Sequence, residues 1–339
     1  MSQLLITNGD ATANLLKAAN IPGDVLVWRD PMFTGPFPAS ATMEELAIIR
    51  GKHLGDPQDK GEAAIRDFQL RDHHLQSCAR YERINLWFEH DVLDQLQLLQ
   101  ILDWFCKNAG AQMDLHLICI NQFNGVHSFR GLGQLSPSQI ASLLPASAKI
   151  SNQMLQEASL GWSAFRNHNP NELLSYALSE PTSFPFMKTA LIRFLKEFPW
   201  TSDGLTQTER QILQLLGDGV ADPGDLFELN MQSEECFFMG DWPTYAVIAS
   251  LCSGKSPLCE TRAEPFWYPP LKRLGREQFR AQRLQLTRQG RDVLEGKSNA
   301  HGLLPRPEWR GGVQLKSNDG LWCWDPQKQK MVTRQERSP

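Results

Sequence analysis

The sequence predicts an α/β protein. A mainly parallel sheet with helices on both faces comes first, then a helical bridge, then a smaller domain of helices with a β-ribbon. Three observations carry this. Short apolar strands alternate with helical stretches through the first 150 residues, the pattern of parallel βαβ units. A Pro/Ser/Asp/Gly break, Pro199-Trp200-Thr201-Ser202-Asp203-Gly204, is followed by capped amphipathic helices of a different character. At 339 residues the chain is too long for one ordinary core, so two domains are expected.

Leu4-Leu5-Ile6-Thr7 reads as a strand, and Asn8-Gly9-Asp10 as a tight turn opening a helix over 12–19, with Asp10 or Thr12 as its cap. Asp24-Val25-Leu26-Val27-Trp28 is a second strand running into Arg29-Asp30, and the loop 31–38 carries three prolines and a glycine. Stretches 40–53 and 61–83 read as helices. Ile84-Asn85-Leu86-Trp87-Phe88 has the near-continuous apolar character of a central buried strand. Glu89-His90-Asp91 ends it, and the apolar run from Val92 to Cys106 reads as a buried helix. Asp114 to Ile120 is a fourth strand, and Phe129 to Leu135 a glycine-bearing loop or short strand. Ser136-Pro137-Ser138-Gln139 starts a helix with a capping box. The result is a Rossmann-like domain over 1–150 with four or five strands.

Helices over 151–165, 170–178 and 185–198 form the bridge, 151–204. Residues 205–297 contain Leu205-Thr206-Gln207-Thr208-Glu209 opening a helix, two further helices, a strand at Pro257 to Glu260, a long basic stretch, and Leu284-Gln285-Leu286-Thr287 leading into a last helix. This order is similar to a winged-helix domain. Residues 298–339 read as a hairpin built on Trp309-Arg310-Gly311-Gly312 and Trp322-Cys323-Trp324, whose turn can return to the first domain, with a frayed polar end after Asp325.

Composition narrows the function. A net charge of −4 with 41% hydrophobic and 21% charged residues is that of a globular protein, not of a nucleic-acid coat or a membrane-surface protein. No window approaches the roughly 18 apolar residues a membrane span needs, and the N-terminus lacks the basic and apolar regions of a signal peptide. The seven cysteines are never spaced Cys-x-x-Cys and lie mostly in apolar runs, which points to reduced thiols in the cytoplasm. No dinucleotide fingerprint, phosphate-binding Walker loop, Gly-x-Ser-x-Gly elbow or His-Glu-x-x-His motif is present.

The candidate site lies at the strand ends. In an open parallel sheet, ligands bind outside the carboxyl ends of the strands, and here three such ends are polar: Asn8-Gly9-Asp10, Arg29-Asp30 and Glu89-His90-Asp91. Asp10, Asp30 and Asp91 are candidate ligands of a divalent metal, and His90, Asp91 and Asp10 candidate catalytic groups, with His90 as general acid/base. Asn8, Arg29, Glu89, Gln95 and Arg130 are candidate ligand contacts, the arginines as anion clamps for a small molecule or nucleotide. The competing reading is structural: Asp91 caps the helix at Val92 with Asp94 at its third position, Asp10 caps the first helix, and Arg29 pairs with a strand-end carboxylate. In the C-terminal domain, Arg273, Arg276 and Arg280 of the basic wing are the candidate nucleic-acid contacts, whereas the helix that should enter the groove opens with Asp241-Trp242-Pro243 and has no Lys or Arg before Lys255.

Ile6-Thr7-Asn8-Gly9-Asp10, Val27-Trp28-Arg29-Asp30 with Gly35-Pro36, Trp87-Phe88-Glu89-His90-Asp91 with Asp94-Gln95, and Phe129-Arg130-Gly131-Leu132-Gly133-Gln134 together resemble a bacterial group known as domain of unknown function 1835. Phe238-Met239-Gly240-Asp241-Trp242-Pro243 and Trp309-Arg310-Gly311-Gly312-Val313 look like the C-terminal part that accompanies it. The resemblance implies the domain layout and implies no activity, cofactor or catalytic residue. Three functions remain open. The first is a ligand- or nucleotide-binding protein acting as a metal-assisted phosphoester hydrolase at the strand-end crevice. The second is a winged-helix regulator or adaptor for DNA or a protein partner with the α/β domain as sensor. The third is a plain interaction scaffold without a ligand, in which the polar strand ends are caps and ion pairs.

Overall fold

The computed structural model describes residues 2–108, 113–179, 183–261, 265–268, 275–317 and 320–334, with the side chains of 276, 316 and 317 left aside. The chain divides into two compact units, Met1–Leu191 with Trp309–Gln314, and Ile192–Glu308 with Leu315–Pro339.

In the first unit β1 (Gln3–Thr7) leads to α1 (Asp10–Ala18), β2 (Asp24–Val27) and a short β3 (Gly35–Pro36). Then come α2 (Met43–Leu54), α3 (Glu62–Gln76), β4 (Arg83–Glu89), α4 (Val92–Asn108), β5 (Asp114–Ile120), α5 (Pro137–Ala141), β6 (Ala148–Lys149), α6 (Asn152–Phe165), α7 (Pro170–Leu178) and α8 (Met187–Leu195), the last running across the division between units. The five-stranded sheet has the order β2-β1-β4-β5-β6. Its first four strands are parallel, with Thr7 opposite both Val27 and Trp87, and Glu89 opposite Ile120; only β6 is antiparallel. The expected mainly parallel α/β sheet is therefore present.

Both faces of the sheet are covered, which explains the unbroken apolar strands. Leu5, Trp87 and Ile118 pack in one cluster with Leu16 of α1, Ile140 of α5, and Leu132 and Leu135 of the preceding loop. Leu4, Ile6, Leu86 and Phe88 alternate with these and so face the other side, and all four are buried. Most of α4 is buried, its polar Gln97 and Gln100 included. Gln100 Oε1 accepts the Trp28 indole N–H, and Gln97 donates to the Asp30 carbonyl, so the buried helix satisfies the end of β2.

The second unit continues with α9 (Gln207–Gly217), α10 (Pro223–Gln232), α11 (Asp241–Leu251), β7 (Cys259–Thr261), α12 (Arg276–Arg280), β8 (Leu284–Leu286) and α13 (Arg288–Leu294). Thr206 caps α9 in a capping box with Glu209, Asp222 caps α10, and Thr287 caps α13. β7 and β8 pair antiparallel, and Leu213, Leu226, Ile248 and Leu286 share one core.

The C-terminal segment differs from the single hairpin expected. β9 (Trp309–Gly311) and β10 (Val313–Gln314) belong to the first unit, where β9 pairs with β3 in parallel. β11 (Lys316–Ser317), β12 (Gly320–Asp325) and β13 (Lys330–Arg334) form a separate antiparallel sheet in the second. The chain after Asp325, expected to be frayed, forms β13, where Met331 pairs with Trp324 of β12 and is buried. No described helix is long and apolar enough to cross a membrane.

Candidate functional site

Parallel pairing puts the C-terminal ends of β1, β2, β4 and β5 on one edge of the sheet. Alternation then decides where Glu89 points. It lies two residues beyond Trp87, on the face covered by the Leu132 loop, and its Oε1 accepts the Leu132 N–H at 2.5 Å. A β-carbon on Gly131 would overlap the Glu89 carboxylate, so glycine there admits this close approach.

Two turns of chain bring further carboxylates to the same point. Asp91 caps α4, its Oδ1 accepting the Asp94 N–H at 2.7 Å. Asp94 turns back toward the strand: Oδ1 accepts the Glu89 N–H at 3.0 Å and Oδ2 accepts the Asn8 side-chain amide. Oxygens of Glu89, Asp91 and Asp94 lie within 4.8 Å of one another, the one such group among the described residues, and all three side chains are buried. Gln95 Nε2 donates to the Glu89 carbonyl at 2.6 Å and anchors the corner from below.

Burial and mutual repulsion dominate the electrostatics. Burial first, then the Asp91 charge, pushes Glu89 up to about 8 against the pull of the Leu132 amide. Burial pushes Asp91 up to about 6, offset by hydrogen bonds from Asp94 and Leu93. Asp94 is held well above the usual carboxylate range by burial and by its two acidic neighbours, against donors from Glu89 and Asn8. Amides supply the compensation here. Three carboxyls so placed can share protons, or they can surrender them to a cation.

The other expected members lie elsewhere. Asp30 is not with Asp91: it forms a buried ion pair with Arg50, whose Nε and Nη2 reach Oδ1 at 3.0 and 2.5 Å. Arg50 also donates to the Thr34 and Pro31 carbonyls, and Gly35, at φ +79°, leaves room for it. Asp10 does not cap α1, because Gly9 occupies that position and offers no side chain. Asp10 instead pairs with Arg29 on the surface at 2.6 Å, where both side chains are more than half exposed. That contact lowers the Asp10 carboxyl and raises the Arg29 guanidinium. His90 is not a member of the carboxylate group. Its ring lies between Phe129 and Phe186, at 6.4 and 6.1 Å, with a bond to the Ile120 backbone, and burial lowers its pKa. Arg130 places its backbone N–H on Gln134 Oε1 at 2.6 Å.

Asn8, Glu89, Asp91 and Gln95 thus meet, and Asp94 joins them. In sequence Asp94 stands at the third position of the helix start and beside Gln95 in the Glu89-His90-Asp91 motif, but is not among the candidate site residues; its spacing from Asp91 is the available signal. Of the wing arginines, Arg273 lies outside the described residues, as does the side chain of Arg276. Arg280 donates to Asp222 at 3.0 Å and also pairs with Asp225. A cavity of about 470 Å³ lies elsewhere in the first unit, beside Thr42, Gln76, Trp104 and Arg166. Its cations are engaged: Lys107 with Asp103, and Arg166 with the carbonyls of Pro38, Ala39 and Ala41. Compared with models of known protein families and with curated proteins, the chain matches none.

Proposed function

We propose that the first unit binds a divalent cation through Glu89, Asp91 and Asp94 and uses it to hold a phosphate-bearing ligand at the strand ends, with metal-assisted phosphoester hydrolysis as the reaction. The observation that carries this reading is the convergence of three buried carboxyls within 4.8 Å. Oxygen-only ligands suit a hard cation, which stabilises the charged carboxylates and reverses the sign of the field a phosphate meets. The adjoining start of α1 supports the ligand half of the proposal. Gly9 caps that helix without a side chain, and a β-carbon on Gly9 would meet nothing within 4 Å, so there is room beside the helix start. Such a helix start favours an anion. Asn8 links the two, next to Gly9 in sequence and bonded to Asp94. Asp10 and Arg29 stand at the rim, where Arg29 can exchange its carboxylate partner for a phosphate.

Calorimetric titration with Mn2+ and Mg2+ tests the cation, and release of p-nitrophenol from aryl phosphate mono- and diesters tests the reaction. Asp94→Asn and Asp91→Asn should each weaken Mn2+ binding at least tenfold while the far-UV spectrum stays unchanged. Folded wild-type protein that takes up neither metal would end the proposal.

A second reading is favoured by the order of elements in the second unit: three helices, then an antiparallel pair enclosing α12, then α13. This order supports a winged-helix regulator or adaptor. The engagement of Arg280 by two aspartates and the acidic start of α11 weigh against DNA and toward a protein partner. The resemblance to domain of unknown function 1835 rests on the quoted motifs and brings no activity with it, so the functional case stands on the carboxylates.

A further inference from the structure

In the second unit the Sγ atoms of Cys252 and Cys259 are 2.9 Å apart. Their backbones are held in place by neighbours. The Leu258 N–H donates to the Leu251 carbonyl at 2.8 Å, joining the residues immediately before each cysteine. The Leu258 carbonyl accepts the Thr287 N–H at 3.1 Å and lies where a β-carbon on Gly290 would clash. Cys259 opens β7, opposite Leu286 of β8, and is fully buried, whereas Cys252 follows the end of α11 and is partly exposed. Between them runs the exposed turn Ser253-Gly254-Lys255, with Gly254 at φ +86°.

We propose that Cys252 and Cys259 are a thiol pair built to form a reversible disulfide that ties the end of α11 to the β7–β8 ribbon. A disulfide has S–S of about 2.05 Å, so the sulfurs need to close by less than ~1 Å, which the glycine-bearing turn can absorb. The roles follow from exposure. Cys252, open to solvent, attacks a low-molecular-weight disulfide as its thiolate, forming a mixed disulfide and releasing one small thiol. Cys259, kept protonated by its hydrogen bond with Cys252 and by burial, is the resolving group. It loses its proton, attacks Cys252 Sγ, and releases the second small thiol. Two protein thiols are oxidised and one small disulfide is reduced to two thiols. In a reducing compartment the pair rests as thiols, and an oxidant closes it.

The test uses the full-length reduced chain equilibrated with graded ratios of oxidised to reduced glutathione, quenched in acid, alkylated and digested with trypsin. Cleavage after Lys255 separates the two cysteines, so a disulfide leaves peptide 256–262 joined to the peptide ending at Lys255. Tandem fragmentation tells Cys252 from Cys236, which lies on the same peptide. The expected result is a Cys252–Cys259 link, two hydrogens lighter, formed at more reducing ratios than oxidation of the other five cysteines and reversed by dithiothreitol. In Cys259→Ser the reaction should stop at glutathione on Cys252. Wild-type protein in which both cysteines are alkylated at every ratio would overturn the proposal. So would one that stops at the mixed disulfide, or links Cys259 to Cys236; these readings do not depend on the variant folding.

Discussion

Glu89 and Gly131 occupy one space: the carboxylate of the first lies where the second would carry a side chain. The glycine's φ of 165° is extended backbone that any residue can adopt, so the constraint is the acid and not the turn. Gly131→Ala is therefore expected to cost about 1–3 kcal/mol, the range for forcing an extra carbon into a packed site. Urea unfolding followed by tryptophan fluorescence would measure it. Glu89→Ala in the same chain should recover much of the loss, and a double-mutant cycle showing no coupling would contradict this placement.

The carboxyl group sets a pH dependence of unusual sign. Glu89 rises from 4.5 to about 8 on folding and Asp91 from 3.8 to about 6, so the folded chain holds protons that the unfolded chain has released. Their contribution is fully present below about pH 4 and is lost as pH rises through about 8, by roughly 1–3 kcal/mol once relaxation is allowed for. Urea midpoints in EDTA should fall between pH 5 and pH 8. Saturating Mn2+ should remove that fall, since the cation replaces the protons. An identical pH profile in Glu89→Gln would show that the acid has been misjudged.

Asp30 was grouped with Asp91 in sequence because both follow a strand; the fold separates them through Arg50. That ion pair is almost wholly buried, so Asp30→Ala leaves a buried guanidinium without its carboxylate. A loss of about 3–5 kcal/mol is expected, against no change in Mn2+ affinity. Asp91→Asn should show the reverse pattern. If Asp30→Ala weakens the metal at unchanged stability, Asp30 belongs with the ligands after all.

What the sequence made legible follows the range of the interactions. The strands and the mainly parallel character of the sheet are readable because Leu4-Leu5-Ile6 and Leu86-Trp87-Phe88 are apolar without interruption and alternate with helices, whereas the strand order is not. Asp91 as a cap was readable because capping is local. The bond from Asn8 to Asp94 and the pair of Asp30 with Arg50 join residues 86 and 20 positions apart, and nothing in local pattern links them. The return of the Trp309-Arg310-Gly311 turn to the first domain is legible in the sequence, but its partner is not: Gly35 of β3 meets Arg310 of β9. His90 looked like a base because it sits among acids in the chain; past the strand end, its ring goes to Phe129 and Phe186 instead.

Asp222 offers a clean separation of the two readings of the second unit. Its Oδ1 accepts the Gly224 and Asp225 N–H groups that start α10, while Oδ2 accepts Arg280 Nε at 3.0 Å and stands 4.0 Å from Arg283. Asp222→Asn keeps the cap, since asparagine serves there as well as aspartate, and removes the charge beside Arg283 and one of the two that hold Arg280, leaving Asp225. If this face meets phosphate backbone, the variant should bind a short DNA duplex several-fold more tightly than wild type at low salt. The plot of log affinity against log salt should also steepen, because each arginine released to a phosphate adds to the counterions displaced. Fluorescence anisotropy over a salt series measures both. Binding absent from wild type and variant alike, with thermal unfolding unchanged, would remove nucleic acid from consideration and leave a protein partner for the second unit.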